Sequence, residues 1–274
     1  MHVLNRSFCA LIGIAISGTA AAQSGPAPDQ LSVSVAARVF VNRLNGVGYG
    51  TAGIPGLNPT YANVSSSTQV SFLPSIALRY GRYVLAGSFQ PTTRYESPVA
   101  ETPGVTARPE RREWDVSLGY AVMPNLVVSV GWKDVSIDTT LGASFPVTET
   151  ALPIKFAGPF IGAAASTPLG SDWSLYGNVA YGRPDAKVNG STIGTSTDYI
   201  STEFGLQYSL RGLGQAFERA VLILGYRTQS SRTKNAAVTV LGLNPATGAV
   251  GFQNGTLSSR SSIDGVTLGV AFAF

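Results

Sequence analysis

The chain of 274 residues contains one cysteine, Cys9, and one histidine, His2, so residues 10–274 contain neither. A Ser–His or Cys–His nucleophilic arrangement and the usual zinc sites all require one of these residue types. We therefore predict that the protein is not an enzyme and has no catalytic residues, no metal and no cofactor. A single cysteine also excludes an intramolecular disulfide.

Charged residues are scarce too. They make up 12% of the chain, against roughly 25% in soluble proteins. The formal net charge of +4 is small and dispersed, which argues against a nucleic-acid partner. After residue 22 no apolar run reaches the length of about 18 residues that a transmembrane helix needs. A chain with few charges and no such run suits β-strands that are apolar on only one face.

Residues 1–22 have the features of a secretory signal peptide: an early arginine, an apolar stretch over Phe8–Ile16 and the small residues Ala20–Ala22. The apolar stretch is too short to span a bilayer. We therefore expect cleavage after Ala22. Residues 23–30 would then form a short periplasmic segment, and residues 31–274 a single membrane-embedded domain.

The C-terminal strand has the clearest pattern, because its last nine residues alternate between bulky apolar and small side chains. One face holds Val266, Leu268, Val270, Phe272 and Phe274, and the other holds Thr267, Gly269, Ala271 and Ala273. Such a strand can face lipid on one side and a crowded lumen on the other. It resembles the C-terminal strand of the β-barrel proteins of Gram-negative outer membranes, whose final aromatic residue is a signal for the barrel assembly machinery. The resemblance implies an outer-membrane location and three partners: membrane lipid, lipopolysaccharide and that machinery.

The same alternation predicts ten strands, joined by four short turns and five long connections. The strands span about residues 31–41, 68–80, 83–91, 112–122, 126–134, 154–164, 173–181, 199–210, 220–227 and 262–274. Short turns at one end and long connections at the other predict an all-β fold, a closed antiparallel up-and-down transmembrane β-barrel. Twelve strands is the alternative, because the connection 228–261 is long enough to contain another hairpin. Pro74, Pro91 and Pro159 fall within predicted strands, where we expect bulges or strand ends.

The short turns predict the register of each hairpin. Tyr80 should face Tyr83 across the turn Gly81–Arg82, and Val122 should face Leu126 across the next short turn. Aromatic residues collect at this end of the predicted barrel, as in the aromatic girdle at a membrane interface. They are Tyr80, Tyr83, Trp173 and Phe274.

The inward positions are mostly Ser, Ala, Gly, Val and Gln, with a few charges. The predicted lumen charges are Arg38, Arg79, Asp115, Lys133, Lys155, Glu203 and Arg227. The registers place Asp115 opposite Lys133 and Glu203 opposite Arg227. Cross-strand pairs of this kind can simply brace and neutralise the wall, or they can form a constriction.

The remaining lumen charges, Arg38, Arg79 and Lys155, give an excess of three positive charges. A barrel of about eight strands is filled by its side chains and one of about sixteen encloses a channel. Ten strands with small inward residues should therefore leave a narrow, partly wet interior. These features predict a narrow passive pore for small solutes with a weak preference for anions.

The long connections support an alternative, a surface-binding barrel that acts as an adhesin or contacts lipopolysaccharide or glycans. Segment 92–113 mixes positive and negative side chains, which predicts a solvated surface. Arg232, Lys234 and Arg260 have no acidic residue between them, so this connection is suited to a polyanion. The omptin proteases are also ten-stranded barrels, but they depend on a histidine that residues 10–274 do not contain.

Overall fold

The computed structural model describes residues 31–52, 60–98, 105–143, 150–188, 191–210, 219–243 and 250–274. The predicted signal peptide and the segment 23–30 lie outside the described residues. Within the described ranges all regular structure is β-strand. No helix in this part of the chain is long and apolar enough to cross a membrane.

Thirteen strands form one antiparallel sheet. They are β1 (Leu31–Ala52), β2 (Thr60–Ser65), β3 (Gln69–Tyr80), β4 (Tyr83–Arg94), β5 (Ser97–Pro98), β6 (Val105–Met123), β7 (Leu126–Ala143), β8 (Thr150–Pro168), β9 (Trp173–Gly182), β10 (Asp185–Val188), β11 (Ser191–Leu210), β12 (Arg219–Leu243) and β13 (Val250–Ala273). Ten of them form a closed ring in the order β1, β3, β4, β6, β7, β8, β9, β11, β12, β13, and β13 pairs with β1. The short strands β2, β5 and β10 pair outside this path. The predicted ten-stranded closed barrel is therefore confirmed, and the twelve-stranded alternative is not adopted.

Several strands run farther than predicted on the side of the long connections. β12 and β13 pair as far as Leu243 and Val250, within the predicted connection 228–261. They have 25 and 24 residues, whereas a tilted strand needs only about 9–11 to cross a bilayer. Beyond the apolar band both faces of a strand are polar, so alternation no longer marks it. The barrel wall thus extends well past the part that the sequence pattern identified.

The two faces of the wall differ as the alternation predicts. On β13 and directly after it, Val266, Leu268 and Phe274 are 46%, 58% and 46% exposed, whereas Thr267 and Ala271 between them are at most 2% exposed. An outer surface of exposed apolar side chains around a filled interior is the reverse of a water-soluble barrel. It is the arrangement of a barrel whose outer surface contacts lipid.

The hairpin registers agree with the turns, with one correction. Tyr80 pairs with Tyr83 across the Gly81–Arg82 turn, where Gly81 has a φ of 57°, a left-handed conformation that such two-residue turns require. In the next hairpin Leu126 pairs with Met123 and not, as predicted, with Val122. A two-residue turn closes this hairpin, and the extra residue is taken up as a bulge between Ala121 and Met123.

The three prolines that fell within predicted strands lie where pairing on one side stops. Pro91 falls in the register shift between Gln90 and Thr93. Pro74 lies one residue beyond the ladder that joins β3 to β4, and Pro159 one residue beyond the ladder that joins β8 to β9. A proline has no N–H to donate, so each occupies a position whose neighbouring strand does not require one.

Candidate functional site in the barrel lumen

Five of the predicted lumen charges lie inside the barrel with almost no solvent exposure. They are Arg38, Asp115, Lys133, Glu203 and Arg227, each at most 5% exposed. Arg79 also points inward, nearer the short-turn end, and is 9% exposed. Alternation holds these side chains in the lumen, because the neighbours of each along its strand face outward; Trp114 and Val116, on either side of Asp115, are both exposed.

Lys155 is the exception, and its predicted place in the lumen is wrong. Its side chain is 51% exposed, and its Nζ lies 2.9 Å from Oδ2 of Asp134. The inward positions of β8 are occupied by Phe156 and Phe160, which are buried. The pattern misleads here because it assigns large aromatic side chains to lipid, whereas this part of the lumen is wide enough to take two phenylalanine rings.

The two predicted cross-strand pairs have the predicted registers, and the charges also make contacts beyond those pairs. Asp115 faces Lys133, and Lys133 Nζ donates to Asp115 Oδ2 at 3.3 Å. Glu203 faces Arg227 on the neighbouring strand. Glu203 also forms an ion pair with Arg38, whose Nη1 lies 2.7 Å from Glu203 Oε1. The charged side chains of the lumen thus connect strands that are not neighbours as well as strands that are.

Glu113 is the centre of these contacts. Its carboxylate lies 2.6 Å from Arg111 Nη2, 3.0 Å from Arg227 Nη2 and 3.4 Å from Lys133 Nζ. Gln229 Nε2 donates to the same carboxylate at 3.0 Å, and its amide oxygen accepts from Arg111. We call Glu113 with Arg111, Lys133, Arg227 and Gln229 the Glu113 layer.

The Glu113 layer joins opposite walls of the barrel. Glu113 and Arg111 belong to β6, whereas Arg227 and Gln229 belong to β12. In the ring of ten, these two strands are five places apart in either direction, the greatest separation possible. The Glu113–Arg227 ion pair therefore spans the lumen along its diameter.

A second group of contacts surrounds Glu203. The hydroxyl of Tyr176 donates to Glu203 Oε1 at 2.8 Å, and that of Thr267 donates to the same oxygen at 3.3 Å. Arg38, on β1, reaches the same carboxylate from three places away in the ring. Glu203 thus has charged and hydroxyl donors from several strands, which is what a buried carboxylate needs to remain ionised in a low-dielectric site.

Two aromatic rings contact cations of the lumen. Lys133 Nζ lies 5.2 Å from the centre of the Tyr199 ring, and Arg227 Cζ lies 5.7 Å from that of Phe40, both within the range of a cation–π interaction. Phe40 packs with Leu44, Leu73, Tyr95 and Ile263 in a buried apolar cluster. The charged layer is therefore enclosed by apolar and aromatic side chains and is not in contact with a column of water.

The short-turn side of the lumen is also filled. Buried small and apolar residues form two clusters there: Ala77, Val84, Ala86, Ala121, Val127, Phe160, Ala164 and Ala180 in one, and Ala36, Tyr176, Val221, Ile223 and Ala271 in the other. Beside the Glu113 layer, a cavity lined in part by Arg111, Lys133 and Tyr199 has a volume of about 20 Å³. That is room for about one water molecule. At the Glu113 layer the described side chains fill the lumen.

Two members of this layer, Arg111 and Glu113, were assigned by the sequence to a solvated surface segment. They are 4% and 2% exposed. The outer part of that segment does form surface ion pairs, Arg94–Glu110 at 2.8 Å and Arg108–Glu96 at 3.4 Å. The sequence did indicate the orientation of the inner part, because residues 111 and 113 lie four and two positions before the inward Asp115 and therefore point to the same face of the strand. The predicted strand, however, began only at residue 112.

The aromatic residues predicted for the membrane interface are on the outer surface at the short-turn end. Tyr80, Tyr83, Trp173 and Phe274 are between 46% and 57% exposed. Tyr83 contacts Tyr120 edge to face at 5.4 Å, and Trp173 contacts Tyr208 at 4.8 Å. Aromatic residues at this position are typical of barrels at a membrane–water boundary.

The described residues contain no group of three or more histidine, cysteine, aspartate or glutamate residues that could hold a metal ion. The polar groups of the described lumen are charged side chains, amides and hydroxyls. These groups can bind or repel ions and polar solutes, and they can open or close a passage.

No protein-family model matches the sequence, and no curated protein shows significant similarity to it. Solved structures do resemble the fold. The outer-membrane protease OmpT from Escherichia coli superposes with a TM-score of 0.54 at 11% identity, covering 92% of this chain and 99% of that one. The translocator domain of the autotransporter NalP from Neisseria meningitidis has a TM-score of 0.40 at 15% identity, covering 87% and 88% of the two chains.

A Pseudomonas aeruginosa homologue of FadL is a further structural neighbour, with a TM-score of 0.35 at 10% identity over 89% of this chain and 90% of that one. OmpT is a bacterial outer-membrane protein, and this protein has the same kind of fold, a closed antiparallel β-barrel. Identities this low show the fold alone.

Proposed function

We propose that the protein is an outer-membrane pore of narrow bore, closed at rest by the Glu113 layer, through which small solutes pass when that layer rearranges. An outer-membrane location is supported by the fold, by the exposed apolar outer surface and by the signal-peptide pattern of residues 1–22. The observation that carries the proposal is the Glu113–Arg227 ion pair across the diameter. A barrel that served only as a scaffold would need no buried charges, since an apolar filling of the same volume is often at least as stable.

A weak preference for anions is part of the proposal. The buried charges of the described lumen are five cations, Arg38, Arg79, Arg111, Lys133 and Arg227, and three anions, Glu113, Asp115 and Glu203. The excess of two positive charges is one less than the sequence predicted, because Lys155 lies outside. Arg111 and Glu113 both lie inside, and their charges cancel. Charges that line a low-dielectric passage raise the local concentration of counter-ions, so anions should pass more readily than cations.

Planar-bilayer recording under a KCl gradient tests this function. We expect brief single-channel steps from the wild-type barrel, with a reversal potential displaced toward that of chloride. Absence of steps from both the wild-type protein and the Glu113→Gln variant would contradict the pore, and a reversal potential near that of potassium would contradict the charge argument. We also infer that the protein is not an enzyme, which the lack of histidine and cysteine after residue 9 supports.

A surface-binding barrel is the second candidate, and one specific observation favours it. Arg232 and Arg260 are directly opposite each other on β12 and β13, both are exposed, and Lys234 is exposed nearby. Like charges in facing positions are destabilising, so a polyanion would relieve them. The acidic residue facing Arg232 on β11 is Asp198, which already pairs with Arg183 at 3.3 Å.

The two candidates separate in a binding experiment. The Arg232→Gln, Arg260→Gln double variant should lose most of its retention on immobilised lipopolysaccharide or heparin and keep wild-type conductance. Arg94→Gln is a suitable control, since Arg94 is exposed but already paired with Glu110. Equal retention of all three proteins would exclude this surface as a polyanion site.

A further inference from the structure

The short-turn end of the barrel has a hollow between two neighbouring hairpins. Its volume is about 480 Å³, and it is formed by the ends of β3, β4 and β6. The described residues that line it are Arg79, Tyr80, Gly81, Arg82, Tyr83, Tyr120, Ala121, Val122, Met123 and Pro124. The bulge between Ala121 and Met123 lies at this position and displaces the end of β6 from the regular ladder, so the hollow has a structural cause.

The lining of the hollow is positive and has no acidic member. Arg82 is exposed at the tip of its turn, and its Nη1 lies 3.4 Å from the hydroxyl of Tyr120. The Nε of Arg79 donates to the carbonyl of Gly81 at 3.1 Å, which orients the second guanidinium toward the same turn. The described lining residues include no aspartate or glutamate, so they offer the exposed Arg82 no acidic partner.

Backbone contacts make the hollow a fixed feature. The amide of Ala121 donates to the carbonyl of Arg82 at 2.8 Å, so the β3–β4 turn is tied to β6. Tyr83 and Tyr120 contact each other edge to face with 63° between their planes. The guanidinium of Arg82 is thus held beside two tyrosine rings by elements that do not depend on a ligand.

The hollow also lies at the edge of the apolar outer surface. Tyr80, Tyr83, Val122 and Met123 are between 43% and 58% exposed and continue the lipid-facing side of their strands. A molecule held here would have its polar part beside the arginines and its apolar part along Val122 and Met123. Guanidinium groups bind phosphate oxygens in a bidentate manner, and tyrosines lie at the level of lipid headgroups.

We propose that this hollow binds the anionic phosphodiester headgroup of a glycerophospholipid from the leaflet at the short-turn end of the barrel. The inference rests on the proposed membrane location but not on conduction through the lumen. Arg82 is the phosphate ligand, and the tyrosine hydroxyls supply further hydrogen bonds. The acyl chains extend over the exposed apolar residues of β4 and β6. A volume of this size matches that of ordinary ligand sites.

Native mass spectrometry of the detergent-solubilised full barrel tests the site. The probes are dioleoylphosphatidylglycerol, dioleoylglycerol, which lacks the phosphate, and inorganic phosphate. We expect the wild-type barrel to retain one phosphatidylglycerol and no dioleoylglycerol, and Arg82→Gln to bind the phospholipid about tenfold more weakly, as loss of a charge-assisted hydrogen bond predicts. The affinity of Arg82→Lys should lie between those of the wild type and Arg82→Gln, because lysine keeps the positive charge but cannot bind a phosphate in a bidentate manner.

Arg43→Gln is the matched control, since Arg43 is an exposed arginine of β1 that does not line the hollow. It should bind like the wild type. Equal binding by Arg82→Gln, or retention of dioleoylglycerol to the same extent, would overturn the proposal. Full displacement of the phospholipid by inorganic phosphate would overturn the lipid as ligand and leave a simple anion site. Heat-modifiable gel migration confirms that each variant is folded, and silence in bilayer recordings would contradict only the pore.

Discussion

Arg227 and Glu113 lie on the two strands that are farthest apart in the ten-stranded ring, yet their Nη2 and Oε1 atoms are 3.0 Å apart. Both side chains are at most 2% exposed. Long side chains from opposite walls thus meet near the middle of the lumen. Removing the Glu113 carboxylate takes away the anion that Arg111, Lys133 and Arg227 share in a buried site, which is far more costly than breaking a surface ion pair.

Two neighbouring ion pairs allow the effect of burial on the coupling energy to be separated from the effect of distance. Asp115–Lys133 is buried at 3.3 Å, and Asp134–Lys155 is shorter, at 2.9 Å, but its lysine is half exposed. We expect double-mutant cycles with Asn and Gln replacements to give a coupling energy of about 1–3 kcal/mol for the buried pair and less than about 1 kcal/mol for the other. Chemical unfolding in detergent measures both. A larger coupling for the Asp134 pair would show that distance outweighs burial here.

The side of the wall on which each lysine lies can be read by chemical labelling. In a Cys9→Ser background, Lys155→Cys should react with a polar maleimide in the folded barrel. Lys133→Cys should react only after heat unfolding, because Lys133 is 5% exposed and enclosed by the Glu113 layer. Equal reactivity of the two folded variants would mean that the orientation of β8 or β7 is incorrect.

The sequence could predict only the part of this arrangement that follows from the alternation of side chains along a strand and from the register of a hairpin. Alternation in Val266–Phe274 was enough to orient β13, and counting residues across a short turn placed Asp115 opposite Lys133. Neither the alternation nor the hairpin register predicts a contact between strands that are not neighbours. The contact of Arg38 with Glu203, three strands away, and that of Arg227 with Glu113 depend on closure of the whole ring.

The orientation of β8 was missed for a different reason. Phe156 and Phe160 look like lipid-facing residues when hydrophobicity alone is considered, but a ten-stranded lumen has space that small side chains cannot fill, and two rings occupy it. Arg111 was missed because the predicted strand began at residue 112, and Glu113, although inside that strand, was assigned with the mixed charges of segment 92–113 to the solvated surface. The strand itself continues, since its backbone pairing with β7 does not depend on contact with lipid.

The turn at Gly81 should be sensitive to a single methyl group. Its φ of 57° disfavours residues with a Cβ by about 1–2 kcal/mol, so Gly81→Ala should lower the unfolding free energy by that amount. Gly87→Ala is the control on the following strand, where an added Cβ would make only an ordinary contact of 3.5 Å. An equal effect of the two substitutions would contradict a conformational cause.

Tyr176 is held against a glycine on a nearby strand. A Cβ added at Gly225 would collide with the Tyr176 hydroxyl, the group that donates to Glu203. We expect Gly225→Ala to destabilise the barrel by about 1–3 kcal/mol, as overpacking does, and Tyr176→Phe to remove part of that penalty. Gly177→Ala, with 3.9 Å to its nearest neighbour, should be nearly neutral. An unchanged penalty in the Tyr176→Phe background would show that the hydroxyl is not the obstacle.

The central claim is that the Glu113 layer closes the lumen, and single-channel recording of Glu113→Gln beside Glu110→Gln tests it most directly. Both substitutions remove one carboxylate from β6, but Glu110 is on the outer surface and 43% exposed. With Glu113 neutral, Arg111, Lys133 and Arg227 repel one another, so the open fraction should rise several-fold above the wild type, while Glu110→Gln should match the wild type. Folded Glu113→Gln barrels that open no more often than wild-type barrels would contradict the account.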